Sequence, residues 1–154
     1  MSQQSRKVKK PNRHLARESA VEALYAWHNG GNDTAMIPSI LADRLSQEDK
    51  RGQDEDYLRE VVYGVSEGVA ELDELIGQAV KGRSLRSIAH VELNILRIAV
   101  WELKFRLEIP YRVIINEALE LTRAYADEPS RGFINGVIDK VARQVRQEEV
   151  KQQR

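Results

Sequence analysis

Cysteine is absent from the 154 residues, which excludes a disulfide framework and any thiolate-held metal. Histidine occurs three times, as His14, His28 and His90, and no two lie at ligand spacing, so no metal site is expected. No glycine-rich phosphate loop is present, and no uninterrupted apolar run approaches a membrane span. The basic start is not followed by the apolar segment of a signal peptide, so the expected compartment is the cytoplasm. Aromatic residues are sparse at 6%. Net charge is also missing, with 24 basic residues balancing 24 acidic ones. Carboxylates are plentiful, as in Asp54-Glu55-Asp56 and Glu117/Glu120, yet nothing singles out a pair with the split acidities of an acid and a base. No catalytic residue and no cofactor is expected, and the chain does not read as an enzyme.

The balance of charge hides an asymmetry. Residues 1–17 hold Arg6, Lys7, Lys9, Lys10, Arg13 and Arg17 and no carboxylate, which leaves 18 basic against 24 acidic residues elsewhere, a net of −6. A basic arm on an acidic body points to a polyanionic partner, usually nucleic acid. With 42% hydrophobic residues the remainder is an ordinary globular chain of one-domain length.

The apolar spacing is helical throughout. Residues 1–11 form a polar, basic arm ending at Pro11, and Asn12 can cap a first helix that stops at Asn29-Gly30-Gly31-Asn32. A weaker helix covers about 37–48. A long helix follows, with Tyr57, Val61, Val65, Leu72, Ile76 and Val80 in one stripe, until Lys81-Gly82-Arg83-Ser84 breaks it. The segment from Ile88 to Leu103 is apolar around most of its circumference, which marks a central, buried helix. Pro110 resets the chain before a helix carrying Ile114, Ala118, Leu121 and Tyr125, and Pro129 precedes a last helix with Phe133, Val137, Ile138 and Val141 inward. The expectation is an all-α, compact helical bundle of six to seven helices, with one domain over 12–146 and a fraying polar tail over 147–154. Gly64 and Gly68, four apart, predict close approach of a neighbouring helix, and Asn135-Gly136 a tight helix crossing.

Arg13 and Arg17 are one turn apart and Tyr25 lies two turns further on. Cations that hold phosphates beside aromatic rings that stack bases are the means by which single-stranded RNA is gripped. The opposing readings are that the tail only aids solubility and that Tyr25 is core, and the residues alone do not choose between them.

Longer blocks do. Ala16-Arg17-Glu18-Ser19-Ala20-Val21-Glu22-Ala23-Leu24-Tyr25-Ala26-Trp27 resembles the opening helix of the NusB family. So do Leu96-Arg97-Ile98-Ala99-Val100-Trp101-Glu102-Leu103, Ile109-Pro110-Tyr111-Arg112-Val113-Ile114-Ile115-Asn116-Glu117-Ala118 and Phe133-Ile134-Asn135-Gly136-Val137-Ile138-Asp139-Lys140, in the family's order. The resemblance implies two small helical subdomains and a role in transcription antitermination, notably on ribosomal RNA operons. It implies binding to boxA-type single-stranded RNA together with NusE, a small-subunit ribosomal protein, and entry into an RNA polymerase elongation complex with other Nus factors. The RNA contacts then fall on Lys9, Lys10, Arg13, His14, Arg17, Tyr25, Tyr125, Arg131 and Phe133, and a NusE contact on Glu92. The protein is expected as a monomer or weak homodimer.

Two departures from the family pattern stand out. The arginine run is thinner, and Gly132 stands where a lysine can occur. NusB-like domains also resemble the N-terminal region of certain ribosomal RNA methyltransferases, but this chain has no glycine-rich strand-turn-helix to hold their cofactor. A non-catalytic helical interaction module without specific RNA binding is the alternative reading.

Overall fold

The computed structural model describes residues 10–152, which form eight α-helices, with no β-strand among the described residues. They are α1 (Arg13–Asn29), α2 (Ile37–Leu45), α3 (Glu55–Glu67), α4 (Val69–Ala79), α5 (His90–Phe105), α6 (Tyr111–Tyr125), α7 (Ser130–Val145) and α8 (Gln147–Gln152). Helices α2 and α3 pack on α1, while α4, α6 and α7 gather round α5. Contacts of α1 with α5 join the two groups, and one apolar core runs through both.

Local chemistry explains most of the boundaries. The Asn12 side chain accepts the Leu15 amide at 2.9 Å, satisfying one of the donors a helix start leaves free. The Asn12 backbone also bonds Gly52 and Asp54, so the entry to α1 is pinned to the start of α3. Asp54 caps α3 in turn, accepting from the Tyr57 amide at 3.0 Å. Gly31, at φ +91°, turns the chain out of α1 in a conformation few side chains tolerate.

Two of the eight helices are not marked in the apolar pattern. The stripe from Tyr57 to Val80 is divided at Gly68, which ends α3 and starts α4. The apolar period continues across the break because both helices present the same side to the core, so periodicity cannot reveal it. The second is α8: residues 147–152 are helical and bury Val150, where a fraying tail was expected. Arg146 anchors this end. Its buried guanidinium donates to the carbonyl oxygens of Leu103 at 2.9 Å, Arg106 at 2.8 Å and Glu102 at 3.1 Å. Those carbonyls belong to the last turn of α5 and its exit, and those of Glu102 and Arg106 accept the Arg106 and Ile109 amides as well.

Every residue from Leu93 to Leu103 is buried, as the all-round apolar pattern of α5 requires. Each large aliphatic side chain buried there contributes about 1.5–3 kcal/mol. The polar members are all partnered. Arg97 makes two 2.8 Å bonds to Asp73 of α4, and Asn94 donates to the His90 carbonyl at 2.8 Å. The close approach expected at Gly64 is real: a Cβ there would stand 2.2 Å from the Trp101 indole nitrogen. Asn135-Gly136 is different. A Cβ on Gly136 would meet nothing within 4 Å, so no tight helix crossing uses it.

Candidate nucleic-acid interface

Lys10 is exposed immediately before α1, and Lys9 lies outside the described residues. Arg13 begins the helix with its side chain 42% exposed, 3.7 Å from Asp54 and 4.2 Å above the Tyr57 ring. Arg17 does not share that surface. One turn on, α1 crosses α5, and Arg17 is 5% exposed with its Nε donating to Glu102 at 2.8 Å. The Tyr57 hydroxyl donates to the same carboxylate. Burial raises the Glu102 carboxyl above its ordinary range, against the opposing pull of Arg17 and Tyr57. Arg17 is therefore placed as an interior cation.

His14 stands at the edge of this network. Its Nδ1 is 2.8 Å from Glu117 of α6 and its Nε2 is 3.3 Å from Glu18. The hydrogen bond to Glu117 raises its pKa, outweighing partial desolvation. Further along α1, Lys50 lies 3.6 Å from Glu18 and 3.3 Å from Glu22. Glu22 also receives Arg44 at 2.8 Å and the hydroxyl of half-buried Tyr125. Burial and the Glu22 bond push the Tyr125 hydroxyl up, so it stays a donor. Tyr25, one turn beyond Glu22, is 42% exposed. His14, Tyr125 and Tyr25 thus follow one another along the ridge where α1 meets α6.

The remaining expected residues sit at the start of α7. Glu92, in the first turn of α5, accepts from the Ser130 hydroxyl and so abuts the first turn of α7, where Arg131 is exposed and 3.8 Å from Glu128. Phe133 is half-buried beneath Arg83, whose guanidinium carbon is 4.3 Å from the ring centre. The end of α1 reaches this region as well: Asn29 bonds His90, and the His28 and His90 rings stack at 3.7 Å. Burial, Arg97 and His90 together lower the pKa of His28.

Arg83 was not among the expected contacts. In the sequence the segment breaks a helical stripe, and its Lys81, Arg83 and Arg86 within six residues are a basic signal in their own right. Among the described residues no cluster of three His, Cys, Asp or Glu could hold a metal ion. No described helix is long and apolar enough to cross a membrane.

A model of the NusB family matches residues 14–143, almost the whole helical body. The chain belongs to the NusB family. The transcription antitermination protein NusB of Proteus mirabilis (strain HI4320) is 42% identical over 134 residues, 87% of this chain and 95% of that protein. The structure of T. maritima NusB superposes with a TM-score of 0.79 at 28% identity, covering 94% of this chain and 99% of that one. A crystal structure of the antitermination factors NusB and NusE in complex with double-stranded RNA matches at a TM-score of 0.72 and 25% identity, covering 86% of this chain and 96% of the matched one.

Proposed function

We propose that this chain is a transcription antitermination factor that binds boxA-type single-stranded RNA together with NusE. The pair joins the RNA polymerase elongation complex with other Nus factors, notably during ribosomal RNA transcription. It acts by tethering, without catalysis and without a cofactor. The observation that carries this reading is the NusB fold itself, continuous over a chain 42% identical to an antitermination protein, with an exposed basic entry at Lys10 and Arg13. Phosphates meet the arm, Lys9, Lys10 and Arg13, with His14 at its margin. Bases stack on Tyr25, Tyr125 and Phe133, with Arg131 alongside. Glu92, at the α5–α7 junction, faces NusE. Arg17 supports this surface from beneath through Glu102.

The second reading, a helical interaction module without RNA preference, is favoured by one observation. Arg13, His14 and Arg131 each have a carboxylate close by, which lowers the positive potential they offer. A gel-shift comparison of boxA-type and scrambled RNA, with and without NusE, separates the two. Preference for boxA that strengthens with NusE supports the antitermination factor, and equal weak shifts support the module.

A further inference from the structure

Among the described residues, a group of four cations without ion-pair partners lies away from α1. Lys81, Arg83 and Arg86 lie in the connection between α4 and α5, and Lys140 lies on α7, facing the end of α4. None of the four has a carboxylate ion-pair partner among the described residues. Arg83 makes a single 3.3 Å bond, to the Ser87 carbonyl, and Lys140 reaches only the Ala79 carbonyl, at 3.5 Å. The contrast with Arg13, His14, Arg17 and Arg131, each beside an acid, is complete.

Three of these cations share one groove. Lys81, Arg83 and Lys140 line a depression of about 270 Å³ together with Phe133, Gly132 and Gly136. No acidic side chain lines it. Its two glycines have no packing reason to be there. Both lie inside α7, where glycine costs roughly 1 kcal/mol against alanine, and a Cβ on either would meet nothing within 4 Å. Their effect is to leave the groove wall as bare backbone, open to a ligand.

The chemistry of the lining selects the ligand. A guanidinium held over an aromatic ring by its face leaves its remaining edge N–H groups to a phosphate, as Arg83 does beyond its one bond to the Ser87 carbonyl. Flanking lysines supply point charges for neighbouring phosphates. We propose that Lys81, Arg83 and Lys140, lining the groove around Phe133, hold the backbone of the single-stranded RNA whose bases stack on Phe133, a grip beyond that of the N-terminal arm. The proposal rests on the RNA-binding reading above. It moves the main electrostatic grip from the largely neutralised α1 ridge to the α4–α5 connection and α7. Arg86, on the far flank of the same connection, extends the positive potential toward His90.

The test is fluorescence anisotropy with a labelled boxA-type single-stranded RNA, titrated at two salt concentrations. The groove variant is Arg83→Glu/Lys140→Glu, and the charge-matched control is Arg51→Glu/Arg59→Glu on the opposite helix group. Arg83→Gln/Lys140→Gln provides a milder variant should reversal disturb folding, which circular dichroism monitors. Loss of two phosphate contacts is expected to weaken binding about tenfold or more and to flatten the log–log salt slope by roughly 1.4, with the control close to the unaltered protein. Unaltered protein that binds while both groove variants match it in affinity and slope would overturn the groove and leave the RNA-binding reading standing. Unaltered protein that binds no RNA would overturn that reading, and the groove with it.

Discussion

Arg17 and Glu102 form an ion pair between α1 and α5 in which the side chains are 5% and 1% exposed. Such a pair registers two helices but is costly to break, because the surviving charge is left in the interior. Arg17→Met is expected to destabilise the fold by about 3–5 kcal/mol in urea unfolding. The triple variant Arg17→Met/Glu102→Leu/Tyr57→Phe, which removes the three buried polar groups and leaves the more exposed Glu117 paired with His14, is expected to recover most of that loss. Arg17 then belongs to the fold, and a fall in RNA binding in Arg17 variants tracks their unfolding.

Glycine substitutions separate two roles that the sequence makes look alike. Gly64→Ala drives a methyl group into the Trp101 ring and is expected to cost about 1–3 kcal/mol through overpacking. Gly136→Ala meets open space and is expected to stabilise α7 by roughly 1 kcal/mol. Thermal unfolding of the two variants side by side checks both signs.

The contrast marks where the sequence was informative. The order of elements, the central place of α5 and the tight spot at Gly64 were legible, because each is written in apolar period or in glycine spacing along one helix. The break at Gly68 was not, since both halves keep the same face inward. Neither was α8, whose ordering depends on Arg146 finding carbonyl groups some forty residues earlier in the chain. The candidate surface divides similarly. Tyr25 was legible as an aromatic two turns beyond a basic arm, but the residues alone left core and surface equally open, and only its packing makes it exposed. The inward turn of Arg17 was hidden, because one-turn spacing places two residues on a face without saying which neighbour covers it. The Lys81–Arg86 cluster was visible as charge, but its convergence with Lys140 and Phe133 is a product of tertiary packing.

Two histidines should titrate against each other. The folded pKa of His14 lies above its ordinary 6.5, held up by Glu117, so its stabilising contribution is full below that value and is lost as pH rises through the folded pKa. The folded pKa of His28 lies below 6.5, held down by burial and by Arg97 and His90, so its contribution is present above that value and is lost as pH falls through the folded pKa. Urea midpoints measured across this range are expected to fall less on the alkaline side in His14→Gln and less on the acid side in His28→Gln.

Stacking makes its own prediction. Tyr25 is exposed and hydrogen-bonds no described side chain, so Tyr25→Ala is expected to leave thermal stability unchanged while weakening single-stranded RNA binding by about 1–3 kcal/mol. Equal anisotropy curves for the variant and the unaltered protein would remove Tyr25 from the RNA surface.

The most direct measurement is the affinity of the full chain for boxA-type RNA, titrated with and without NusE against a scrambled RNA of equal length. Tighter binding to boxA is expected, strengthened by NusE, with RNA raising the affinity for NusE by the same factor as linkage requires. Equal, weak binding to both RNAs that NusE leaves unchanged would contradict an antitermination role and leave a helical module that keeps the NusB fold alone.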